Sequence, residues 1–289
     1  MDKKEKRQPI SLRFKINKLL KDTQKKYTMQ EIYTEFPDIA KTTIRGRVYD
    51  NLGKGITRLD KNLYISSEAI VQLGNSLEII DNMIKQGDKF DYIFLDIPYD
   101  APGQKGGNRD LFACDTITPE QFAVFARKLE KLLLNKNSII SFMFTSGKTS
   151  KRQHDKYLAG FKNTSLVLCR TMGTYTKFWK TGNRMNMGIY PMPEENIYLF
   201  NGTGIIEDEE ALRLHFEGIP SKEYPTAKPL HIISSMVRQL SPEGGWVFDP
   251  FGGSGKTLEA CLEYGRHCHI IDSSETSFNE HLLPILEKE

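Results

Sequence analysis

A chain of 289 residues, 39% hydrophobic and 27% charged, has the composition of an ordinary soluble globular protein and is long enough for one or two domains. No apolar run approaches the roughly 18 residues of a membrane helix, the N-terminal MDKKEKRQPI lacks the apolar core of a signal peptide, and Cys114, Cys169, Cys261 and Cys268 form no C-x-x-C pair. A membrane span, secretion, a disulfide framework and a metal site are therefore not expected, and a cytoplasmic location is.

The net charge of +3 conceals an asymmetry: residues 1–61 hold 16 Lys/Arg against 8 Asp/Glu, leaving 24 against 29 for the rest. A basic head on a mildly acidic body points to a nucleic-acid partner for the head. Within it, the Lys-rich stretch 1–26 carries an apolar subset (Ile10, Leu12, Phe14, Ile16, Leu19, Leu20) that partly fits a helix. Thr28 is placed to cap a short helix ending at Glu35 before Pro37, and Thr42 or Thr43 to open a second helix carrying Arg45 and Arg47. Gly53 and Gly55 end that helix, and ITRLDKNLYIS reads as a hairpin turning at Asp60-Lys61-Asn62. Helix, turn, helix and a two-stranded wing resemble a winged-helix domain over residues 1–68, with Arg45 and Arg47 on the groove-reading helix.

From residue 69 onward, strands and helices alternate, the signature of a parallel α/β sheet with helices on both faces. YIFLDIPY is a short apolar run ended by an acid, followed by the polar, glycine-rich DAPGQKGGNRD, a plausible lid. Thr118-Pro119-Glu120-Gln121 supplies an N-cap, a proline at the first helical position and a glutamine at the third, so a helix runs from there to about Leu134. SIISFMFTS, SLVLCRTM and ENIYLF read as strands, KRQHDKYLAGF as a helix, and 201–227 as loop-rich. AKPLHIISSMVRQLS is a helix, GWVFDPF a strand, GKTLEACLEYG a helix and HCHIID a strand. In that last strand His267 and His269 point one way and Cys268 the other, which argues against a shared metal.

VFDPFGGSGKT, residues 247–257, mimics a phosphate-gripping P-loop, but Pro250 stands where that motif needs its first glycine. Proline offers no N–H and its φ is fixed, so the cradle loses a donor and its leading flexible residue. The unit reads better as an adenosine-cofactor turn. One strand ends at Asp249, glycines let the backbone approach a ligand, and the next strand ends at Asp272, placed for ribose hydroxyls.

DIPY at 96–99 together with KPLHII and FDPFGGSGKT resembles the S-adenosylmethionine-dependent DNA amino-methyltransferases, whose motifs read D-P-P-Y and D-P-F-x-G-S-G-T. The motif order is similar to that of the permuted beta class, and the resemblance spans about residues 73–275. It implies a Rossmann-like methyltransferase sheet over 69–289, S-adenosylmethionine as cofactor and DNA as partner, with a homodimer or an additional subunit compatible. Residue by residue, it implies that Asp96 and the Ile97 carbonyl accept the hydrogens of the target amine, that Pro98 holds Ile97 extended, and that Tyr99 stacks on a flipped-out base. Asp249, Pro250, Phe251, Gly253 and Gly255 would line the cofactor, Lys228-Pro229 its methionine end and Asp272 its ribose. Aspartate rather than serine at 96 favours adenine N6 over cytosine N4, by the same resemblance. Lys105, Arg109 and Lys148 are candidate phosphate contacts.

The sequence departs from the family at Ile97 for proline, Lys256 for threonine, and Tyr224 and Ala227 for the histidine and glutamine before Lys-Pro. Ile97 motivates an alternative reading, a DNA-binding regulatory or assembly subunit with an inactive transferase domain. The segment KFWKTGNRMNMGIYPMPEENIYLF resembles the family's Trp-Lys strand and the glutamate that precedes its next apolar strand. Little room remains before Lys228 for a separate target-recognition domain, so DNA specificity is expected in the N-terminal domain, the 100–115 loop or another subunit.

Overall fold

A computed structural model describes residues 16, 19–20, 27–49, 56–60, 63–66, 68–98, 116–145, 151–181, 188–191, 195–218 and 227–287. At the N-terminal end, β1 (Tyr27–Thr28) leads into α1 (Met29–Glu35), and α2 (Lys41–Tyr49) precedes the strands β2 (Ile56–Asp60) and β3 (Leu63–Ser66). The Thr28 hydroxyl accepts the Glu31 N–H at 3.2 Å and the Glu31 carboxylate accepts the Thr28 N–H at 2.8 Å, the reciprocal capping that fixes where α1 begins. The three strands pair antiparallel in the order β1-β3-β2, and a small core of Ile16, Leu20, Tyr27, Met29, Ile32, Ile44 and Val48 lies between the helices. Ile44 and Val48 form the buried side of α2, while Arg45 and Arg47 are exposed on it. β2 lies against α7, a helix of the large sheet introduced below.

The large sheet begins with β4 (Ala69–Leu73) and continues through α3 (Ser76–Gln86), β5 (Tyr92–Leu95), α4 (Pro119–Leu132), β6 (Ile139–Thr145) and α5 (Lys151–Ala159). It goes on through β7 (Val167–Thr181), β8 (Gly188–Pro191), β9 (Glu195–Asn201), β10 (His215–Gly218), α6 (Leu230–Leu240), β11 (Trp246–Asp249), α7 (Lys256–Tyr264) and β12 (His267–Asp272). The strand order is β10-β7-β9-β6-β5-β11-β12-β4, with β8 pairing on β7. From β6 to β4 every pairing is parallel, whereas β9 is antiparallel to both β6 and β7.

The strands alternate their apolar residues between two faces. Ile93, Leu95, Ile140, Phe142 and Phe248 pack under α3 and α4, and Tyr92, Phe94, Val247 and Ile270 under α6 and α7. This is the Rossmann-like α/β arrangement expected from the alternation of elements.

Within the loop-rich 201–227 stretch, the described residues also hold β10, which pairs parallel to β7, and a 3₁₀ turn at Glu209–Ala211. The strand read from SLVLCRTM extends to Thr181, with a register irregularity between Leu168 and Met172. His267 and His269 do face away from Cys268, and both go to protein partners. The His267 Nδ1 accepts the Glu68 N–H at 3.0 Å, and the His269 Nε2 lies 3.2 Å from the Gln72 Oε1. Burial depresses both imidazole pKa values, which keeps the rings neutral. Among the described residues no helix is long and apolar enough to cross a membrane.

Candidate active site

The chain crosses the sheet in opposite directions from its middle. β5 leads by α4 to β6 on one side, and β11 leads by α7 to β12 on the other, so β5 and β11 flank a topological switch point. In open α/β sheets a crevice opens there, beyond the carboxyl ends of the strands. Asp96 follows directly on β5, and Asp249 and Asp272 are the last residues of β11 and β12. The three acids singled out in the sequence therefore share one edge.

The glycine turn after β11 uses its polar groups internally. The Phe251 N–H donates to the Asp249 Oδ1 at 2.9 Å, the Gly252 N–H to the Ile271 carbonyl at 2.8 Å, the Gly253 N–H to the Asp272 Oδ2 at 2.7 Å and the Gly255 N–H to the Gly252 carbonyl at 2.9 Å. The Ser76 hydroxyl at the start of α3 donates to the Pro250 carbonyl. Gly253 and Gly255 have φ of 47° and 76°, and a Cβ on Gly252 would lie 2.4 Å from the Ile270 side chain. These positions need glycine so that the turn can press against β12.

Those four N–H groups are turned onto protein acceptors instead of converging on one external anion. Lys256, the residue that makes the motif look like a P-loop, binds Glu259 one turn along α7 at 2.9 and 3.0 Å.

Asp249 is 2% exposed, and burial pushes its carboxyl up to about 7 against the pull of Thr257 and the Phe251 N–H. The negative charges of Asp96 and Asp272 add to the rise. Asp272, 7% exposed, is also raised by burial, opposed by N–H donors from Ser274 (2.8 Å) and Gly253. Each Asp272 oxygen thus accepts one N–H and retains lone-pair capacity for a ligand hydroxyl.

Asp96 is held by Lys228, whose ammonium is 2.5 Å from its Oδ2. Lys228 is two residues before α6 and 9% exposed. The same ammonium is 3.4 Å from the Oε2 of Glu195, and Lys177 binds the Oε1 of Glu195. Register explains the convergence. Glu195 opens β9 directly opposite Tyr175 of β7, and Lys177 lies two residues on from Tyr175, on the same face. Burial pushes the Asp96 carboxyl above its ordinary value, with Lys228 opposing. For Glu195 burial also acts upward, but Lys228 and Lys177 together outweigh it and the carboxyl lies below its ordinary value.

The family resemblance implies the methionine end of a cofactor for Lys228, and the structure places its ammonium on Asp96. Glu195 stands in the sequence only as a landmark before an apolar strand, and nothing along the chain singles out Lys177. The usable signal was an acid at the head of the buried run NIYLF, where a charge needs a partner.

Ile97 is 3% exposed, and the Pro98 carbonyl accepts the Ile117 N–H at 3.0 Å, which joins the two ends of the 99–115 segment. Ile117 is held in turn by the Tyr157 hydroxyl on its carbonyl at 2.5 Å. Tyr99, Lys105, Arg109 and Lys148 lie outside the described residues. Pro229 stands at the N-cap position of α6 without a side-chain cap, and the Phe251 ring packs on Phe125 with centroids 5.8 Å apart.

Three buried or half-buried acids at a switch point, with a glycine turn braced on one of them, stand where Rossmann-like sheets take nucleoside-bearing ligands. Residues 116–281, more than half of the chain, match the family model for N6/N4 DNA methylases; the chain belongs to the DNA methylase family. That match includes Lys228, Asp249 and Asp272, and Asp96 precedes it.

Solved structures agree at the level of the fold. The M1.HpyAVI-SAM complex is 19% identical with TM-score 0.52, covering 75% of this chain and 99% of that one. The TTHA0409 protein of Thermus thermophilus is 16% identical with TM-score 0.54, over 76% and 95%. The cytosine-N4-specific PvuII DNA methyltransferase is 14% identical with TM-score 0.53, over 77% and 91%.

Proposed function

We propose that this chain is a DNA adenine-N6 methyltransferase that uses S-adenosylmethionine and acts on an adenine turned out of the helix. The observation that carries the reading is the position of Asp96, a carboxylate at the switch point beside Asp249, with the Ile97 carbonyl next in the chain. The choice of adenine over cytosine rests on aspartate at 96, by the family resemblance.

The residues present suit the cofactor. Asp272 offers a buried, acceptor-only group to a pair of ribose hydroxyls, and the Gly252–Gly255 turn keeps side chains out of the way. When bound, the cofactor supplies an electrophilic methyl group on a sulfonium. The protein has to prepare the acceptor. An exocyclic amine is a poor nucleophile because its lone pair is conjugated with the ring. Asp96 and the Ile97 carbonyl accept its two hydrogens and draw the nitrogen toward a tetrahedral geometry. With the methyl group received from the cofactor, which would leave as a neutral thioether, the nitrogen would pass one proton to Asp96 or to water.

In this reading residues 1–68 form a winged-helix-like DNA-binding domain, with the exposed Arg45 and Arg47 of α2 facing DNA phosphates and bases, and residues 69–289 form the transferase. Purified protein incubated with methyl-labelled cofactor and genomic DNA is expected to yield N6-methyladenine on digestion to nucleosides. Label in N4-methylcytosine would overturn the base assignment but keep the reaction. Label no greater than that of an Asp96→Ala control would overturn the enzyme reading in favour of a non-catalytic DNA-binding subunit.

Asp272 gives a separate test of the cofactor assignment. Asp272→Ala is expected to weaken S-adenosylmethionine binding about 10–100-fold in calorimetry, the loss of charge-assisted hydrogen bonds to hydroxyls.

A further inference from the structure

We propose that Glu195 is a positioning residue: it waits as the second seat for the Lys228 ammonium, which leaves Asp96 when the target amine arrives. The inference rests on the methyl-transfer reading above. Three observations on geometry carry it. Lys228 is seated on Asp96 at 2.5 Å and stands 3.4 Å from the Glu195 Oε2, an ion-pair distance without a hydrogen bond. That Oε2 is a buried oxygen with no hydrogen-bond partner, an arrangement proteins seldom leave unused. The other oxygen, Oε1, is taken by Lys177, so only Oε2 faces Lys228.

The chemistry requires such a seat. An ammonium on Oδ2 blocks one acceptor of Asp96 and draws charge from the other. An ammonium moving off Asp96 keeps an ion pair at Glu195, already 3.4 Å away, which avoids the cost of a stranded buried charge. Glu195 supplies that place within a short side-chain movement, so Asp96 regains its acceptor capacity as the base enters. Lys177 fixes Glu195 from the far side. Among the described residues, the charged and titratable groups facing this cluster are Asp96 after β5, Asp249 on β11, Lys228 before α6, Glu195 on β9, and Lys177 and Tyr175 on β7. The Tyr175 hydroxyl, raised by burial to about 12, is neutral throughout the working range.

The expected signature is a pair of opposite shifts. Glu195→Gln removes a negative charge that raises the Asp96 pKa, and Lys177→Met removes a positive charge that lowers it. Carboxyl-carbon NMR of the ligand-free protein should show Asp96 titrating at lower pH in Glu195→Gln and at higher pH in Lys177→Met. Thermal melting identifies either variant if it fails to fold, and the other then carries the test.

In turnover, Glu195→Gln should lower kcat for methyl transfer about 10–100-fold, roughly the worth of one charge-assisted hydrogen bond, while the acidic limb of its rate profile moves to lower pH. The shift of the limb reports the lost charge at Glu195, and the fall in kcat on the plateau above it reports the lost seat. Unchanged Asp96 titration in both variants overturns the proposal. So does a shifted titration with wild-type kcat in Glu195→Gln. Wild-type protein that places no methyl on DNA instead removes the functional reading, whatever the NMR titrations show.

Discussion

Asp96→Ala is expected to lower methyl transfer to DNA by about three orders of magnitude while leaving S-adenosylmethionine binding within a few-fold of wild type. Removal of one preorganised polar group at a transition state commonly costs about 10²–10³ in kcat. Here the group also carries the only side-chain charge proposed to touch the amine. The proposed cofactor side of the site, the turn from Phe251 to Gly255 and Asp272, makes none of its described hydrogen bonds to Asp96, so binding and chemistry should separate. Radiolabel transfer and calorimetry on the same preparation test this, and parallel loss of both would place Asp96 in the cofactor pocket.

The same variant has an unusual stability expectation. Breaking a buried ion pair by removing one partner ordinarily costs about 3–5 kcal/mol because the other charge is stranded. Lys228 has Glu195 at 3.4 Å, so the loss in Asp96→Ala should fall clearly below that range in urea unfolding. Glu195→Gln, which leaves Lys177 without its carboxylate, should cost more than Asp96→Ala.

The ligand-free protein should lose stability as pH rises from about 4 to about 7, and Asp249→Asn should remove that part of the slope. The folded-state pKa of about 7 lies above the ordinary aspartate value of 3.8, so across this window the folded chain holds a proton that the unfolded chain has lost. Stability is therefore greatest below the unfolded value and declines through the folded one, the reverse of a salt-bridged aspartate. At about 1.4 kcal/mol per pKa unit, the effect is on the order of a few kcal/mol. An asparagine keeps a carbonyl for the Phe251 N–H, so at pH 8 the variant should unfold at higher urea than wild type. Equal slopes in the two proteins between pH 5 and 8 would assign the titration elsewhere.

What was legible in the sequence was local. The caps at Thr28 and Thr118 declare themselves within four residues, and both form the reciprocal hydrogen bonds that their spacing predicts. Asp96, Asp249 and Asp272 could be found because each ends a short apolar run, and an acid in that place belongs at the carboxyl edge of a parallel sheet. Pro250 and Lys256 were readable as departures from a P-loop because the defect lies in the motif itself.

What escaped depends on strands that meet only in three dimensions. β10 is four residues of alternating exposure at the rim of the sheet, and its sequence HFEG carries little strand preference of its own. The Asp96–Lys228–Glu195–Lys177 cluster draws on four separate elements, and the register of Tyr175 opposite Glu195 decides its geometry. No spacing along the chain encodes that register.

The hydrogen bond from Ile117 to Pro98 ties the two feet of the 99–115 segment together beside the carboxylate. Closing a loop on fixed feet costs only about 0.6 kcal/mol for each doubling of its length. Residues inserted between Pro98 and Ile117 would therefore cost little and leave β5, Asp96 and the Lys228 ammonium in register.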